Sequence, residues 1–379
     1  MRLLKFDTVN PEKYLLEKLA ENSQKISGFG KKELLDWIIS LRCNFSDFYT
    51  YNLKNLGWEA EEFIVSDLYF EKAAKEIYDG MLPFKKLKES FKDGIRPLKH
   101  RWRRRVLVDY IKRFKPDVIF VREVIGIPSD FWKYFNDRAL IVSRLAASLP
   151  LNWSPLDWDL IFTSTLTFRN FFSINKVSSV INQNGFDERL INEVKNDGKK
   201  YDFTFVGGLG RRYWKKRTEC AEYLASNTNF KWWGIKGSDI GESNSLSKSY
   251  NGIKSGIEMM QIYKDSKIVF NDYGEIAEGE AVNQRIFEVM GIGSLLLTRH
   301  ADNIKKIFPP DTHVMFKDER DCADKVNYFL KNEKEREEIA ANGQRFILEN
   351  FNYKNIMKEL DIFLKKKFNE KFQDFKNRW

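Results

Sequence analysis

Apolar residues along this chain fall into short, nearly unbroken runs, separated by stretches in which they recur every three or four positions. From Leu34 the run LLDWIISLR has the length of a buried strand. The following CNFSDFYTYNLKNLGW puts Phe48, Leu53 and Leu56 on one helical face, and EAEEFIVSD reads as a second strand. A helical pattern through Val106, Tyr110, Ile111 and Phe114 leads past Lys115-Pro116-Asp117 into VIFVRE, after which ALIVSRLA and DLIFTS read as further strands. Almost wholly apolar strands alternating with helices predict a parallel sheet covered on both faces.

The texture breaks after Asn182-Gln183-Asn184-Gly185-Phe186-Asp187, and residues 188–200 are largely polar, reading as a linker or a helix plus linker. The alternation then restarts: YDFTFVGG, FKWWGI, KIVFND, SLLLT and HVMF as strands, with RRYWKKRTECAEYLAS, IEMMQIYKDS and AVNQRIFEVMG as helices between them. Met357, Leu360, Phe363, Leu364, Phe368, Phe372 and Phe375 then recur at three- and four-residue steps over a Lys-rich opposite face, the pattern of one long amphipathic helix. The expected division is a Rossmann-like N-terminal domain at 1–186, a linker at 187–200, a Rossmann-like C-terminal domain at 201–348, and a terminal helix at 349–379 packing back on the N-terminal domain.

Charge and composition narrow the class. The chain of 379 residues has 64 Lys+Arg against 54 Asp+Glu, a formal balance of +10, and thirteen basic against three acidic residues lie between Lys85 and Lys115. The whole excess therefore sits in one stretch. A neutral body with one basic segment is not built throughout to coat nucleic acid; that segment is either anion-facing or simply solvated. A hydrophobic share of 42% excludes a disordered or low-complexity chain. Cys43, Cys220 and Cys322 are too far apart for a C-x-x-C site and odd in number, so a reducing cytoplasm is expected. The opening MRLLKFDTVNPEKY lacks the apolar core of a signal peptide. No run approaches the roughly 18 apolar residues of a membrane helix, so a soluble or peripheral protein is expected.

Several motifs carry candidate chemistry. Phe205-Val206-Gly207-Gly208-Leu209-Gly210-Arg211-Arg212 lies between a strand and a helix, but Tyr213 replaces the third glycine of a dinucleotide fingerprint. Adjacent glycines followed by Arg211, Arg212, Lys215, Lys216 and Arg217 suit a diphosphate, or else form a tight turn before a solvated basic helix. Asp157-Trp158-Asp159 is a literal D-x-D, able in principle to hold a divalent ion, yet Asp159 opens the strand DLIFTS and a strand-start role is favoured. No metal site is expected. His100, His300 and His313 enter no Ser/His/Asp, Cys/His or H-E-x-x-H pattern, which argues against hydrolases of those types.

The most specific stretch is Ser266-Lys267-Ile268-Val269-Phe270-Asn271 with Glu280 to Thr298, containing Asn283-Gln284-Arg285-Ile286-Phe287-Glu288 and Gly291-Ile292-Gly293 before an apolar strand. It resembles the C-terminal half of GT-B glycosyltransferases, in particular the CgeB-like bacterial group, also labelled glycosyltransferase "family 1". That group shows SKI-x-x-N, N-x-R-x-F-E and G-x-G in this order. Tyr250-x-Gly252, Gly256-x-x-Met259, Asp318 to Tyr328 and Glu335-Arg336-x-x-Ile339-Ala340-x-x-Gly343-Gln344 also match. So do Ser46-Asp47-Phe48-Tyr49, Leu56-Gly57, Lys115-Pro116-Asp117 and Asp159-Leu160-Ile161 in the first half. The likeness is strongest over 200–350. Relatives often carry His just after the strand Asn, where this chain has Asp272-Tyr273.

The resemblance implies an α/β fold of the GT-B class: two Rossmann-like domains facing across a cleft, with a C-terminal helix strapping them. The first domain would hold an acceptor and the second a nucleotide-sugar donor. Glu288 would accept from the ribose hydroxyls, the helix-terminal amides of Ala281 to Asn283 would face the diphosphate, and Asn283 and Arg285 would bind phosphate or sugar. Gly207, Gly208, Arg211, Arg212, Arg217 and Asn271 complete the expected donor set. Glu280 and Glu288 stand eight apart, the E-x7-E spacing of many retaining enzymes, which makes Glu280 a catalytic candidate and leans towards retention. Asp47 is the candidate base for the acceptor hydroxyl, with a helix N-cap role equally open and Glu123 in reserve. The implied function is transfer of a sugar to a glycan, glycolipid or protein in bacterial surface-polysaccharide or glycoconjugate synthesis. A UDP- or GDP-sugar would be co-substrate, with no other cofactor. Arg103, Arg104 and Arg105 would meet an acidic acceptor or an anionic membrane, placing the protein in the cytoplasm or peripherally at the inner face of the plasma membrane. Nucleic acid is not an expected partner. A GT-B-fold sugar-nucleotide epimerase, a catalytically dead scaffold and a non-enzymatic anion- or nucleic-acid-binding protein remain the alternatives.

Overall fold

A computed structural model of the chain describes residues 1–44, 46–78, 101–122, 127–145, 154, 157–273, 280, 282–373 and 379. Two compact units separate: Met1–Asn182 with Met357–Trp379, and Gln183–Ile356.

The first unit is built on strands β1 (Arg2–Asp7), β2 (Glu59–Ile64), β3 (Val118–Val121), β4 (Leu140–Arg144), β5 (Leu160–Thr163) and β6 (Ser179–Ile181), in the order β2-β1-β3-β4-β5-β6. Every neighbouring pair is parallel. β3, β4 and β5 are buried at every position, as a sheet covered on both faces requires.

The run from Leu34, expected as a strand, is the helix Lys31–Ser40. Glu33 Oε2 accepts the Gly30 N–H at 2.6 Å, capping the helix start, and Leu34 and Ile38, four positions apart, are its buried residues. The first strand is instead Arg2–Asp7, where Lys5 interrupts an otherwise apolar run.

Lys5 is fully buried in register with Glu62 on β2. Its Nζ lies 3.0 and 3.1 Å from the Glu62 carboxylate oxygens and 3.1 Å from Asp7, and donates to the Ser46 carbonyl at 2.7 Å. Thr50 Oγ1 donates to Glu62 at 2.8 Å. Burial would by itself lower the Lys5 amine, but Glu62 and Asp7 outweigh it and hold the amine above its ordinary value. Burial likewise pushes the Glu62 carboxyl up to about 7 against the pull of Lys5.

The second unit carries β7 (Tyr201–Val206), β8 (Phe230–Trp233), β9 (Ser266–Asn271), β10 (Leu295–Arg299) and β11 (Val314–Phe316), in the order β11-β10-β9-β7-β8, again parallel throughout. Phe203, Phe205, Trp232, Ile268, Phe270, Leu295 and Leu297 from its strands form the core with Cys220, Leu224, Cys322 and Val326 from the helices. The stretch at 187–200 is docked on this unit: Lys195 N–H donates to Gln261 Oε1 at 2.7 Å, and Gln261 Nε2 returns a bond to the Lys195 carbonyl at 3.0 Å.

The last helix, Tyr353–Phe372, buries Met357, Leu360, Leu364 and Phe372. Its polar side contributes too: Asp361 accepts Trp58 Nε1 at 2.6 Å, and Lys371 Nζ bonds Asp159 at 2.6 Å. Phe375 lies outside the described residues.

Removing one partner of a buried ion pair leaves an uncompensated charge, which costs about 3–5 kcal/mol. Lys5→Met should therefore lower the thermal midpoint by roughly 10 °C, whereas Lys13→Met, at an exposed pair, should stay within about 0.5 kcal/mol of wild type. Equal midpoints for both variants in a melting experiment would show that the Lys5 cluster does not hold the sheet.

Candidate active site

At the carboxyl ends of β7 and β8 two glycine-bearing segments pass in close contact. Trp232 Nε1 donates to the Gly207 carbonyl at 2.8 Å, and the Gly207 N–H donates to the Trp233 carbonyl at 2.8 Å. Gly234, at φ +137°, passes so close that a Cβ there would meet the Gly207 carbonyl oxygen at 2.1 Å. A Cβ on Gly208 would lie 2.3 Å from the Trp214 ring. The glycines thus serve close packing of backbone and ring.

Asn271 closes β9, and its side-chain carbonyl is the junction of the site. It accepts Arg285 Nη1 at 2.9 Å and Asn283 Nδ2 at 2.9 Å, while its own amide donates to Thr298 Oγ1 on β10 at 2.9 Å. Asn283 occupies the N-cap position, with extended backbone, of the helix Gln284–Gly291. Arg285 Nε donates to the Val206 carbonyl at 3.0 Å and meets Tyr263 Oη at 3.3 Å, and its guanidinium lies 4.7 Å above the Phe205 ring. A Cβ on Gly207 would sit 2.6 Å from Arg285 Nη2. Because Gly207 has none, Nη2 packs directly against the bare backbone there, an approach that any side chain at this position would block.

On the same helix Ile286, Phe287, Val289 and Met290 are buried, and Glu288 is only 8% exposed. Burial pushes the Glu288 carboxyl up to about 7, with Arg285 and a hydrogen bond involving Gln284 pulling the other way. The expected helix over 281–291 begins at Gln284, so Glu280 precedes it and the eight-residue spacing to Glu288 is not two helical turns. Ala281 lies outside the described residues.

A second cationic group adjoins these residues. The helix Arg211–Asn227 is broken at Trp214 (φ −143°, ψ 52°), which brings the indole against Gly208. Arg217 then stacks between Phe205 at 5.6 Å and Trp214 at 5.0 Å, and donates to the Asp272 carbonyl at 3.4 Å. The buried Asp272 carboxylate bonds Arg299 Nε at 2.9 Å. Burial raises the Asp272 carboxyl, resisted chiefly by Arg299. Where relatives place His after the strand Asn, this chain therefore has a carboxylate gripping an arginine at the end of the next strand. Trp214 and Arg299 are site residues that sequence reasoning missed. The available signal was positional, since Arg299 ends SLLLTR as Asn271 ends SKIVFN.

Other expected site residues lie elsewhere. Arg211 bonds Glu222 at 2.6 and 2.7 Å, lies 3.8 Å from Asp239 and, through its backbone, caps onto Asp239, so its guanidinium is committed to a surface ion pair. Arg212 is exposed and lies over the exposed Tyr213 ring. Asp47 follows the helix Lys31–Ser40, not the first strand. It stands at the N-cap position of Phe48–Asn55 without capping it through its side chain, and its carboxylate bonds Arg42 at 2.8 Å.

In the basic stretch, 79–100 and Glu123 lie outside the described residues. Arg103 is a correction: it is 2% exposed on the helix Arg101–Phe114, bonds Asp67 at 2.7 Å and lies over Phe70 and Trp102, so it supports packing and cannot meet an acceptor or membrane. Arg104 and Arg105 are exposed and border a cavity of about 430 Å³ with Val108, Phe131 and Tyr134. The two carboxylates of the D-x-D have separate structural partners. Asp157 takes Ser129 and Lys133, and Asp159 takes the Ile141 N–H and Lys371. Among the described residues no group of three or more His, Cys, Asp or Glu could hold a metal ion.

The fold has counterparts among known proteins. Residues 187–361 match the glycosyl transferase-like family model. That span holds Arg217, Asn271, Asn283, Arg285, Glu288 and Arg299. Over the whole chain the fold is that of GT-B glycosyltransferases, with two Rossmann-like units. The chain is 12% identical to Anabaena HepE, solved in complex with UDP-glucose, with TM-score 0.56, covering 97% of this chain and 100% of that one. Sucrose-phosphate synthase from Thermosynechococcus elongatus is 10% identical at TM-score 0.56, covering 98% and 100%. A glycosyltransferase from Rickettsia africae is 13% identical at TM-score 0.52, covering 98% and 99%. No curated protein sequence matches the chain. No helix among the described residues is long and apolar enough to cross a membrane.

A carboxyl raised to about 7 in the folded state keeps a proton that the unfolded chain, with a value near 4.5, has released. Glu288 therefore withdraws stability as pH rises from about 4.5 through about 7. Glu288→Gln should raise the thermal midpoint by a few degrees near pH 8 and change it little near pH 5, on the order of 2–3 kcal/mol at the alkaline end. A difference independent of pH would sink this reading of Glu288.

Proposed function

We propose that the chain is a metal-independent, nucleotide-sugar-dependent glycosyltransferase that moves a sugar from a nucleotide diphosphate to a hydroxyl of a glycan, glycolipid or protein in bacterial surface-polysaccharide or glycoconjugate synthesis, and that it falls in the CgeB-like group. The observation that carries this reading is Arg285: a guanidinium fixed at the carboxyl ends of the strands by Val206, Asn271 and the Phe205 ring, and packed on the bare backbone of Gly207.

In this reading the donor diphosphate lies against Arg285 and Arg217, with Arg299 behind them, and the backbone at Gly207 and Gly208 lets it approach closely. As the bond from sugar to diphosphate breaks, charge grows on the phosphate oxygens, and guanidinium groups already held in place stabilise it without reorganising. Glu288 takes the ribose hydroxyls. UDP-glucose bound to HepE supports a UDP-sugar as donor, and GDP-sugars are the second class to test. The first unit binds the acceptor. If the anomeric centre is retained, as the E-x7-E spacing favours, the departing phosphate takes the acceptor proton; if it is inverted, Asp47 is the base. Arg104 and Arg105 remain as the basic residues offered to an acidic acceptor or to anionic lipid at the inner face of the plasma membrane.

A thermal-shift and hydrolysis panel of UDP- and GDP-sugars tests the donor site. One of them should stabilise the wild type, and Arg285→Ala should weaken its binding at least tenfold, about the value of a charge-assisted bond, with Arg285→Lys intermediate because a lysine cannot reproduce the fork. The reading fails if no nucleotide sugar stabilises the wild type, or if Arg285→Ala binds the active one unchanged.

A further inference from the structure

At the opposite end of the second sheet, where the interior strands β9 and β10 begin, lies a cavity of about 260 Å³ lined by Lys199, Lys264, Lys267, Ser294, Arg336 and Gln344 among others. It belongs to the amino ends of the strands, away from the carboxyl ends that carry Arg285 and Glu288. Four cationic side chains line it against one carboxylate, Glu337.

The charges around this cavity are unevenly compensated. Lys267 is paired with Asp202 at 2.7 Å, and Arg336 with Glu333 at 2.8 Å and Glu337 at 3.8 Å. Neither Lys199 nor Lys264 has a carboxylate partner within ion-pair distance among the described residues. Lys199 Nζ is nonetheless fixed, donating to the Lys264 carbonyl and to Ser294 Oγ, both at 2.9 Å. An ammonium has three N–H donors, so one remains for a ligand. Although the residue as a whole is exposed, desolvation of its amine, followed by the nearby Lys264 and Arg336, lowers it to about 8, with Asp265 and Glu337 pulling upward. Crowded like charges held by neutral acceptors are relieved by a bound anion.

The floor of the cavity is the turn between the helix Gln284–Gly291 and β10. Gly293 takes φ +82° there, and Gln344 Nε2 donates to the Gly291 carbonyl at 3.0 Å. Ser294 Oγ bonds the Tyr263 carbonyl at 2.6 Å, while the Tyr263 hydroxyl meets Arg285. The cavity wall is thus tied through two side chains to the proposed donor site.

We propose that this cavity is a second anion site, taking inorganic phosphate or the phosphate group of a small phosphorylated metabolite between Lys199, Lys264 and Arg336. The site is independent of the glycosyltransferase reading, and its test separates the two.

Phosphate binding is measured on the full chain by thermal shift and calorimetry, with chloride at matched ionic strength as control and a hexose monophosphate as a parallel probe. Wild type should bind phosphate beyond the chloride control, with affinity lowered about tenfold in Lys264→Met and in Lys199→Met. Arg285→Ala, which disables the proposed donor site, should keep it. If Lys264→Met and Lys199→Met bind phosphate as wild type does, or if Arg285→Ala abolishes the binding, the second site is overturned. Binding of the hexose phosphate but not of inorganic phosphate, lost in both lysine variants, assigns the site to the metabolite. Loss of nucleotide binding in every protein, with phosphate binding still dependent on Lys264, removes the donor-site reading and leaves this one standing.

Discussion

One oxygen organises the second unit. Asn271 Oδ1 receives an N–H from Asn283 and another from Arg285, and the same side chain reaches across to Thr298. Two strand ends, the start of a helix and the guanidinium that faces Gly207 are thereby fixed by a single planar amide. Such a junction suits a site that must stabilise charge developing late in a reaction, because its donors are already oriented. It also fixes how Arg285 lies against the glycine turn: Nε and Nη1 are held by Val206 and Asn271, its flat face rests on Phe205, and Nη2 packs on Gly207.

The two units handle buried charge differently. In the first, Lys5, Glu62 and Asp7 neutralise one another, and Lys5 also holds the Ser46 carbonyl in a loop where Arg42, Asn44 and Ser46 all take positive φ. This is architecture, a charged cluster that positions backbone. In the second unit Glu288 has no ion-pair partner among the described residues, and burial raises its carboxyl to about 7, as it does that of Glu62, on the same helix that carries Arg285. A buried carboxylate without a salt bridge reduces stability, and such placements cluster where chemistry is done.

Much of this was legible in the sequence, for identifiable reasons. Strands β7 to β11 are short apolar runs punctuated by glycine or polar residues, so period and length located them. Asn271, Asn283, Arg285 and Glu288 stood out through the resemblance of SKI-x-x-N and N-x-R-x-F-E to the GT-B group. Other features escaped. β1 was hidden because a lysine in a strand looks like a surface residue until Glu62 is known to lie across from it. The run from Leu34 imitated a strand because its helix is short and its apolar residues dense, although Glu33 after Gly30 was a helix-start signal. Arg103 resembled its exposed neighbours Arg104 and Arg105; only the fold brings Asp67 and Phe70 to it. Arg299 acts through Asp272, 27 residues earlier, and only its place at the end of a strand hinted at it, while nothing in the sequence marks the helix break that turns Trp214 onto Gly208.

The last helix has a consequence for how the protein is made. Met357, Leu360 and Leu364 belong to the first unit, as do the bonds from Asp361 to Trp58 and from Lys371 to Asp159. The first unit is therefore not a continuous stretch of chain: residues 1–182 leave the ribosome before the whole second unit, and residues 357–379 after it. The second unit can fold as soon as it emerges, whereas the first must wait for the last helix to bring Asp361 to Trp58 and Lys371 to Asp159. The order of birth is thus reversed in the order of completion, and a fragment that stops at residue 356 carries a finished second unit attached to an unfinished first one.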